Sequence, residues 1–225
     1  MPETAETTAP EPSKWDWGDL RRRRPVSREF GFDRGLPVDR YYIESFLERN
    51  RRDIGGRTLE IGDDEYTRRF GGERTTRRDV LHVHGGNPAA TIVGDLVEAP
   101  QIADAIFDCI VVTQTLHLIY DVESAIATLH RILRPGGVLL ATFPGITQLS
   151  KDEWNRTWSW AFDSRLARRL FASRFGEQNV AVEAHGNLPA AAAFLHGLAT
   201  AELTPEQLDA EEPSCELLLT VRAVR

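Results

Sequence analysis

The chain has 225 residues, 41% of them hydrophobic and 27% charged, with a formal net charge of −7. That length suits one domain with a real core plus a tail, and the acidic balance argues against nucleic acid as a partner. No apolar run approaches the length of about 18 residues that a membrane-spanning helix needs, and the two cysteines, Cys109 and Cys215, sit in apolar, strand-like runs and read as core thiols of a reducing, cytoplasmic protein.

Residues 1–14 are acidic and rich in Pro, Thr and Ala. They lack the basic start and apolar core of a signal peptide, and they carry too little apolar surface to offset ordering, so a disordered tail is expected. Trp15 and Trp17 are placed to dock the segment that follows, and the basic run at 21–24 reads as a solvated stretch. Residues 15–56 then form an extension with a lid helix. Asp39 is its expected cap, and Tyr42, Ile43, Phe46 and Leu47 share one face. The helix should end near Asp53, before Gly55-Gly56.

From residue 57 onward strand and helix signals alternate. Strands are expected at 58–61, near 79–83, at 91–93 and at 107–113, the last an almost unbroken apolar run suited to an interior parallel strand. A short helix at 65–70 is stopped by Gly71-Gly72. Asp121 can cap the next helix, whose stripe is Val122, Ile126, Leu129 and Leu133. Pro135-Gly136-Gly137 ends it, and a strand follows at 138–142. Beyond a connection bearing Trp154, Trp158 and Trp160, a helix is expected at 164–175 and a strand at 180–184. Asn187 caps a helix running to about 201, a loop or short helix covers 204–213, and 215–224 is the last strand. The alternation predicts an α/β fold: a doubly wound, mostly parallel seven-stranded sheet over 57–225, preceded by a helical and loop extension.

Four pieces stand in a telling order. They are Leu59-Glu60-Ile61-Gly62; Asp79, 17 residues after Gly62; Gly94-Asp95-Leu96; and Phe107-Asp108-Cys109-Ile110 followed by Arg131-Ile132-Leu133-Arg134-Pro135-Gly136-Gly137-Val138. Together they resemble the class I S-adenosylmethionine-dependent methyltransferases, over residues 57–225. The resemblance implies S-adenosylmethionine as cofactor and assigns roles by position. Gly62 lets the backbone approach the methionine end, and Glu60 orders the loop there. Asp79 takes the ribose hydroxyls, as an acid does in dinucleotide sites. Asp95, with Leu96 beside it, accepts from the adenine amino group, and Thr113 and Gln114 line the methionine part. Asp63-Asp64-Glu65-Tyr66 replaces the family's further glycines. Asp63 could bind the cofactor's ammonium, or the fuller loop could crowd it. The run 66–71 and the aromatic stretch at 158–162 resemble a subset acting on sugars and other small molecules, which includes the sugar methyltransferases of methylmannose polysaccharide assembly. The implied activity is O-methylation of a small-molecule hydroxyl, with a carbohydrate as the favoured acceptor.

Methyl transfer from a sulfonium asks chiefly for orientation, and a hydroxyl of high pKa also gains from a positioned base. His117, just beyond the strand at 107–113, is the first candidate, with Asp121 to orient it and Glu44 on the lid helix to meet the acceptor. Each has a structural alternative: a pocket-lining imidazole, a helix cap and a solvated face. His82 and His84 share one side of a strand, but no third ligand follows, so no metal is assigned. Magnesium assisting a sugar diol stays open, as does a homodimer. N- or C-methylation of another metabolite and a catalytically inactive cofactor-binding protein are the competing readings. An NAD-linked enzyme is disfavoured, because carboxylates after Gly62 would repel a pyrophosphate.

Overall fold

The structure is a computed structural model that describes residues 18–149 and 157–225. The expectations for 1–14, Trp15, Trp17 and Trp154 fall outside them. Seven strands form one sheet: β1 (Gly56–Ile61), β2 (Thr75–His82), β3 (Ile92–Val93), β4 (Phe107–Thr113), β5 (Leu133–Pro144), β6 (Val180–His185) and β7 (Leu218–Val224), in the order β3-β2-β1-β4-β5-β7-β6. All neighbouring pairs are parallel except those of β7, which runs antiparallel to β5 and β6. The helices are α1 (Val38–Arg49), α2 (Val122–Ile132), α3 (Ser164–Phe175), α4 (Leu188–His196) and α5 (Pro205–Asp209).

β4 shows why the sheet is covered on both sides. Its side chains alternate by strand geometry: Ile110 and Val112 join one buried cluster with α2 and α3, while Cys109 and Val111 join the other with α1 and α4. The unbroken apolar run at 109–112 is therefore what two covered faces require. The buried cysteine is a free thiol, and burial pushes it well above its ordinary pKa. In the first cluster the rings of Phe143, Phe162 and Phe171 meet, with Phe143 and Phe162 centroids 4.6 Å apart. In the second, Ile43, Phe46 and Leu47 of α1 pack on the sheet, as their spacing predicts. Local chemistry fixes the helix ends. Asp163 accepts from Leu166 N at 2.7 Å to start α3, and Asn187 accepts from Ala190 N to start α4. Gly197, at φ 70°, stops α4 at His196, short of the expected 201.

Two further differences matter for the cleft. β2 starts at Thr75, ahead of the expected 79, because it pairs in parallel along β1 from Gly56 onward. Its first residues, Thr-Thr-Arg-Arg, carry no apolar signal. The helix expected at 65–70 is present but changes pitch: Glu65 and Tyr66 are α-helical and run into a π-helical turn, Thr67–Gly71, followed by a single 3-10 turn, Gly72–Arg74. The last strand starts at Leu218 instead of 215. No helix among the described residues is long and apolar enough to cross a membrane.

Candidate active site

β1 and β4 lie side by side, and the chain winds away from them in opposite directions. Such a switch point opens a crevice at the carboxyl ends of the strands, and here it is a cleft of about 910 Å³. Its floor is Glu60, Ile61 and Gly62 at the end of β1, and Thr113, Gln114 and Thr115 at the end of β4. His82 at the end of β2, Val83 just after it and the turn Gly94-Asp95-Leu96-Val97 close one side; Arg40 and Glu44 of α1 close the other. Phe32, Leu36, Leu118, Ile119 and Tyr120 surround the mouth.

The turn after β1 is organised by Glu60. Its carboxylate, 2% exposed, accepts from the backbone N–H of Tyr66 at 3.1 Å and of Thr67 at 2.7 Å. Burial pushes its carboxyl up to about 7, against the pull of those hydrogen bonds. Gly62 sits at φ 93°, and a Cβ built on it would meet nothing within 4 Å. The backbone there borders open space, and a side chain would enter it. Asp63 stays exposed and accepts from Glu65 N, while Asp95 does the same for Val97 N. Leu96 is buried beneath. The expected residues Glu60, Gly62, Asp63, Asp95, Leu96, Thr113, Gln114, Glu44 and Asp121 all border this one cleft.

Asp79 does not. It lies in the middle of β2, 1% exposed, paired with Arg57 at 2.7 Å and Arg77 at 3.0 Å. Because β2 runs on to His82, the residue that meets the cleft at its carboxyl end is His82. His117 is the second correction. Its ring is 4% exposed, off the cleft wall, and packs on Trp158 with centroids 4.3 Å apart. Burial lowers its pKa to about 4, and its Nδ1 has no partner among the described residues. The turn Leu116–Leu118 swings this imidazole inward while Leu118 faces the cleft. Asp121 is the N-cap of α2, accepting from Ser124 N at 3.1 Å, and hydrogen bonding from the Ser124 side chain and then its backbone holds the carboxyl below the usual range. It therefore does not orient His117. Glu44 pairs with Arg69 at 2.7 Å. Asp39 is no cap either: Pro37 occupies that position, and Asp39 turns inward to accept from Gln114 Nε2 at 2.8 Å. Trp158 and Trp160 brace the segment behind the mouth, Trp160 Nε1 donating to Ile119 O at 2.9 Å.

Arg40 and Phe32 were not foreseen, Tyr66 was expected only as part of the fuller loop after Gly62, and His82 only as one of a pair of imidazoles on a strand. A signal existed for Arg40, since it lies four residues before Glu44 and so shares its helix face. Its Nη1 donates to the Tyr66 hydroxyl at 3.0 Å, and Phe32 covers the guanidinium at 5.6 Å. Phe32 sits in a turn with no periodicity to mark it. Among the described residues, six carboxylates border the cleft (Glu44, Glu60, Asp63, Glu65, Asp95 and Asp121), against the single guanidinium of Arg40. Such a wall favours a ligand of net positive charge. Among the described residues, no group of three or more His, Cys, Asp or Glu is placed to hold a metal ion.

Comparison with known proteins bears on this cleft. Residues 61–141 match the family model of a methyltransferase domain. No curated protein sequence matches the chain. Solved structures with the same fold include a possible histamine N-methyltransferase from Thermotoga maritima, 17% identical, with 88% of this chain and 97% of that one covered and a TM-score of 0.55. A methyltransferase from Archaeoglobus fulgidus is 12% identical, with 81% and 94% covered and a TM-score of 0.53. The N-methyltransferase NodS from Bradyrhizobium japonicum, in complex with S-adenosylhomocysteine, is 16% identical, with 85% and 89% covered and a TM-score of 0.51.

Proposed function

We propose, from the match of residues 61–141 to a methyltransferase domain, that the chain uses S-adenosylmethionine to methylate a hydroxyl oxygen of a small molecule, with a sugar or glycoside as the acceptor class. The observation that carries this reading is the mouth of the cleft, where the rings of Phe32 and Tyr120 stand with the carboxylates of Glu44 and Asp121. A pyranose has apolar C–H faces for the rings and hydroxyls for the carboxylates. When bound, the cofactor supplies an electrophilic methyl group on a sulfonium. The protein's task is then to orient the acceptor and exclude water.

The wall fits that cofactor: acidic overall, open beside Gly62, and floored by a turn that Glu60 fixes. Gly62 and Asp63 would hold the methionine end, with Thr113 and Gln114 beneath it. Asp95 would accept from the adenine amino group and Leu96 would pack on the ring. His82, which lines the cleft where Asp79 does not, would stand at the ribose. Asp121 is the group that receives the acceptor's hydroxyl hydrogen bond, because it borders the cleft and uses one carboxylate oxygen for its cap. Its lowered pKa makes it better at orienting than at abstracting a proton.

N-methylation of an amine is the second reading, favoured by the position of His117. With the imidazole off the wall, an acceptor that brings its own lone pair suits the mouth. Mass spectrometry across sugars, glycosides and amines, each offered with S-adenosylmethionine, separates the two. A gain of one methyl on a hydroxyl acceptor is the expected result; gain confined to amines would overturn the first reading in favour of the second.

A further inference from the structure

Three of the seven buried side-chain polar atoms that lack a hydrogen-bond partner among the described residues belong to one small cluster. They are Asp39 Oδ1, Arg40 Nε and Gln114 Oε1. Unpaired polar atoms are rare in folded proteins and call for a ligand or water. Asp39 is 6% exposed, and its other oxygen already accepts from Gln114 Nε2. Burial pushes its carboxyl up, even beside Arg40. Gln114 is held at φ 47°, a left-handed conformation costly for a residue with a side chain, and Gln114 N donates to Thr142 O at 2.9 Å. Arg40 spends one nitrogen on the Tyr66 hydroxyl and keeps Nε unused. Arg40 and Gln114 both border the cleft, and Asp39 stands behind Gln114.

The cluster thus offers two spare acceptors and one spare donor, beside one negative and one positive charge. An α-amino carboxylate has the complementary set: an ammonium to donate and a carboxylate to accept. We propose that Asp39 and Arg40 of α1, with Gln114, form a zwitterion clamp for the amino-acid end of the cofactor. Gln114, oriented and backed in charge by Asp39, takes the ammonium, and Arg40 takes the carboxylate. Both α1 residues precede residue 61, outside the segment that matches the methyltransferase family model. α1 therefore joins cofactor binding, through Arg40, to the acceptor side, through Glu44. The inference rests on the methyltransferase reading above.

Two ligands test it on the full chain by calorimetry: S-adenosylhomocysteine, and 5′-methylthioadenosine, which keeps the adenosine thioether but lacks the amino-acid end. The clamp predicts that Asp39→Asn and Arg40→Met each weaken S-adenosylhomocysteine by about tenfold or more, leave 5′-methylthioadenosine within about twofold, and that Arg40→Lys recovers part of the loss. Binding of the truncated ligand also reports that each variant is folded. Equal losses for both ligands, or no loss for either, would overturn the clamp while leaving the methyltransferase reading intact. Failure of the unaltered chain to bind either ligand would overturn both.

Discussion

In the inner half of the cleft the ligand would meet backbone and short turns: Gly62 with open space beside it, the turn that Glu60 pins through two N–H groups, and the Gly94-Asp95-Leu96 corner. In the outer half it would meet side chains carried by separate pieces of chain. Phe32 and Leu36 come from the turn before α1, Glu44 from α1 itself, and Leu118, Ile119 and Tyr120 from the bend after β4. Backbone geometry at strand ends follows from the sheet topology, so the inner half is set once the fold forms. The outer half depends on where a helix and two irregular segments happen to dock. The first arrangement suits one fixed cofactor, and the second leaves room for the acceptor to differ between proteins of the same fold.

The largest effect that could break this comparison is at Gly62. Gly62→Leu places a side chain in open space and forces a non-glycine residue to φ 93°. Affinity for S-adenosylhomocysteine should fall by about 100-fold or more, measured by calorimetry, beside a modest drop in melting temperature from the strained backbone at this position. Retained binding would mean that the cofactor does not approach this turn.

Asp79 gives the next largest effect, on a different property. Asp79→Ala strands Arg57 and Arg77 beside the sheet and should cost about 2–3 kcal/mol of stability by denaturant titration. Cofactor affinity should stay within about threefold. Loss of affinity without loss of stability would return Asp79 to the ribose site and make His82 incidental.

A pair of opposing pH effects comes third. The pKa of His117 is lowered to about 4 by burial, from an unfolded value near 6.5. The unfolded chain therefore takes up its proton first, and stability is lost as pH falls from about 6.5 to 4. The pKa of Glu60 is raised to about 7, from an unfolded value near 4.5. The stability it contributes is present below 4.5 and is lost as pH rises through about 7. Between those limits the two offset each other. Melting curves across pH should show His117→Phe removing the acid-side loss and Glu60→Gln removing the loss toward neutrality. Unchanged profiles in both variants would mean that neither group is buried as described.

The smallest effect is on catalysis at His117. Turnover in His117→Phe should fall by less than about threefold, because the imidazole packs on Trp158 and does not reach the cleft wall. A fall of about 100-fold or more, with cofactor binding intact, would restore the histidine as base and sharpen the sugar reading.

How much of this was legible in the sequence follows the same division. β4 was readable to the residue, and α3 likewise, because an unbroken apolar run and an Asp-capped amphipathic stretch ending at Gly176 are local signals. Glu60, Gly62 and Asp95 were readable because the strand-end positions follow from their order along the chain. Asp79 was misplaced because β2 carries Thr-Thr-Arg-Arg at its start and so hides its true register against β1. His117 was misread because a single 3-10 turn decides which of two neighbouring side chains faces the cleft, and no periodicity records that choice. Arg40 and Phe32 meet across the mouth only after α1 docks, a long-range event that neither residue announces by itself.

The central claim is that the carboxyl ends of β1, β3 and β4 bind S-adenosylmethionine. Hydrogen exchange of the unaltered chain with and without saturating S-adenosylhomocysteine tests it most directly. Slowed exchange at the backbone amides of residues 62–67, 94–97 and 113–116, with the far end of the sheet unchanged, is the predicted result. Slowed exchange confined to other residues, or none at all, would contradict the account.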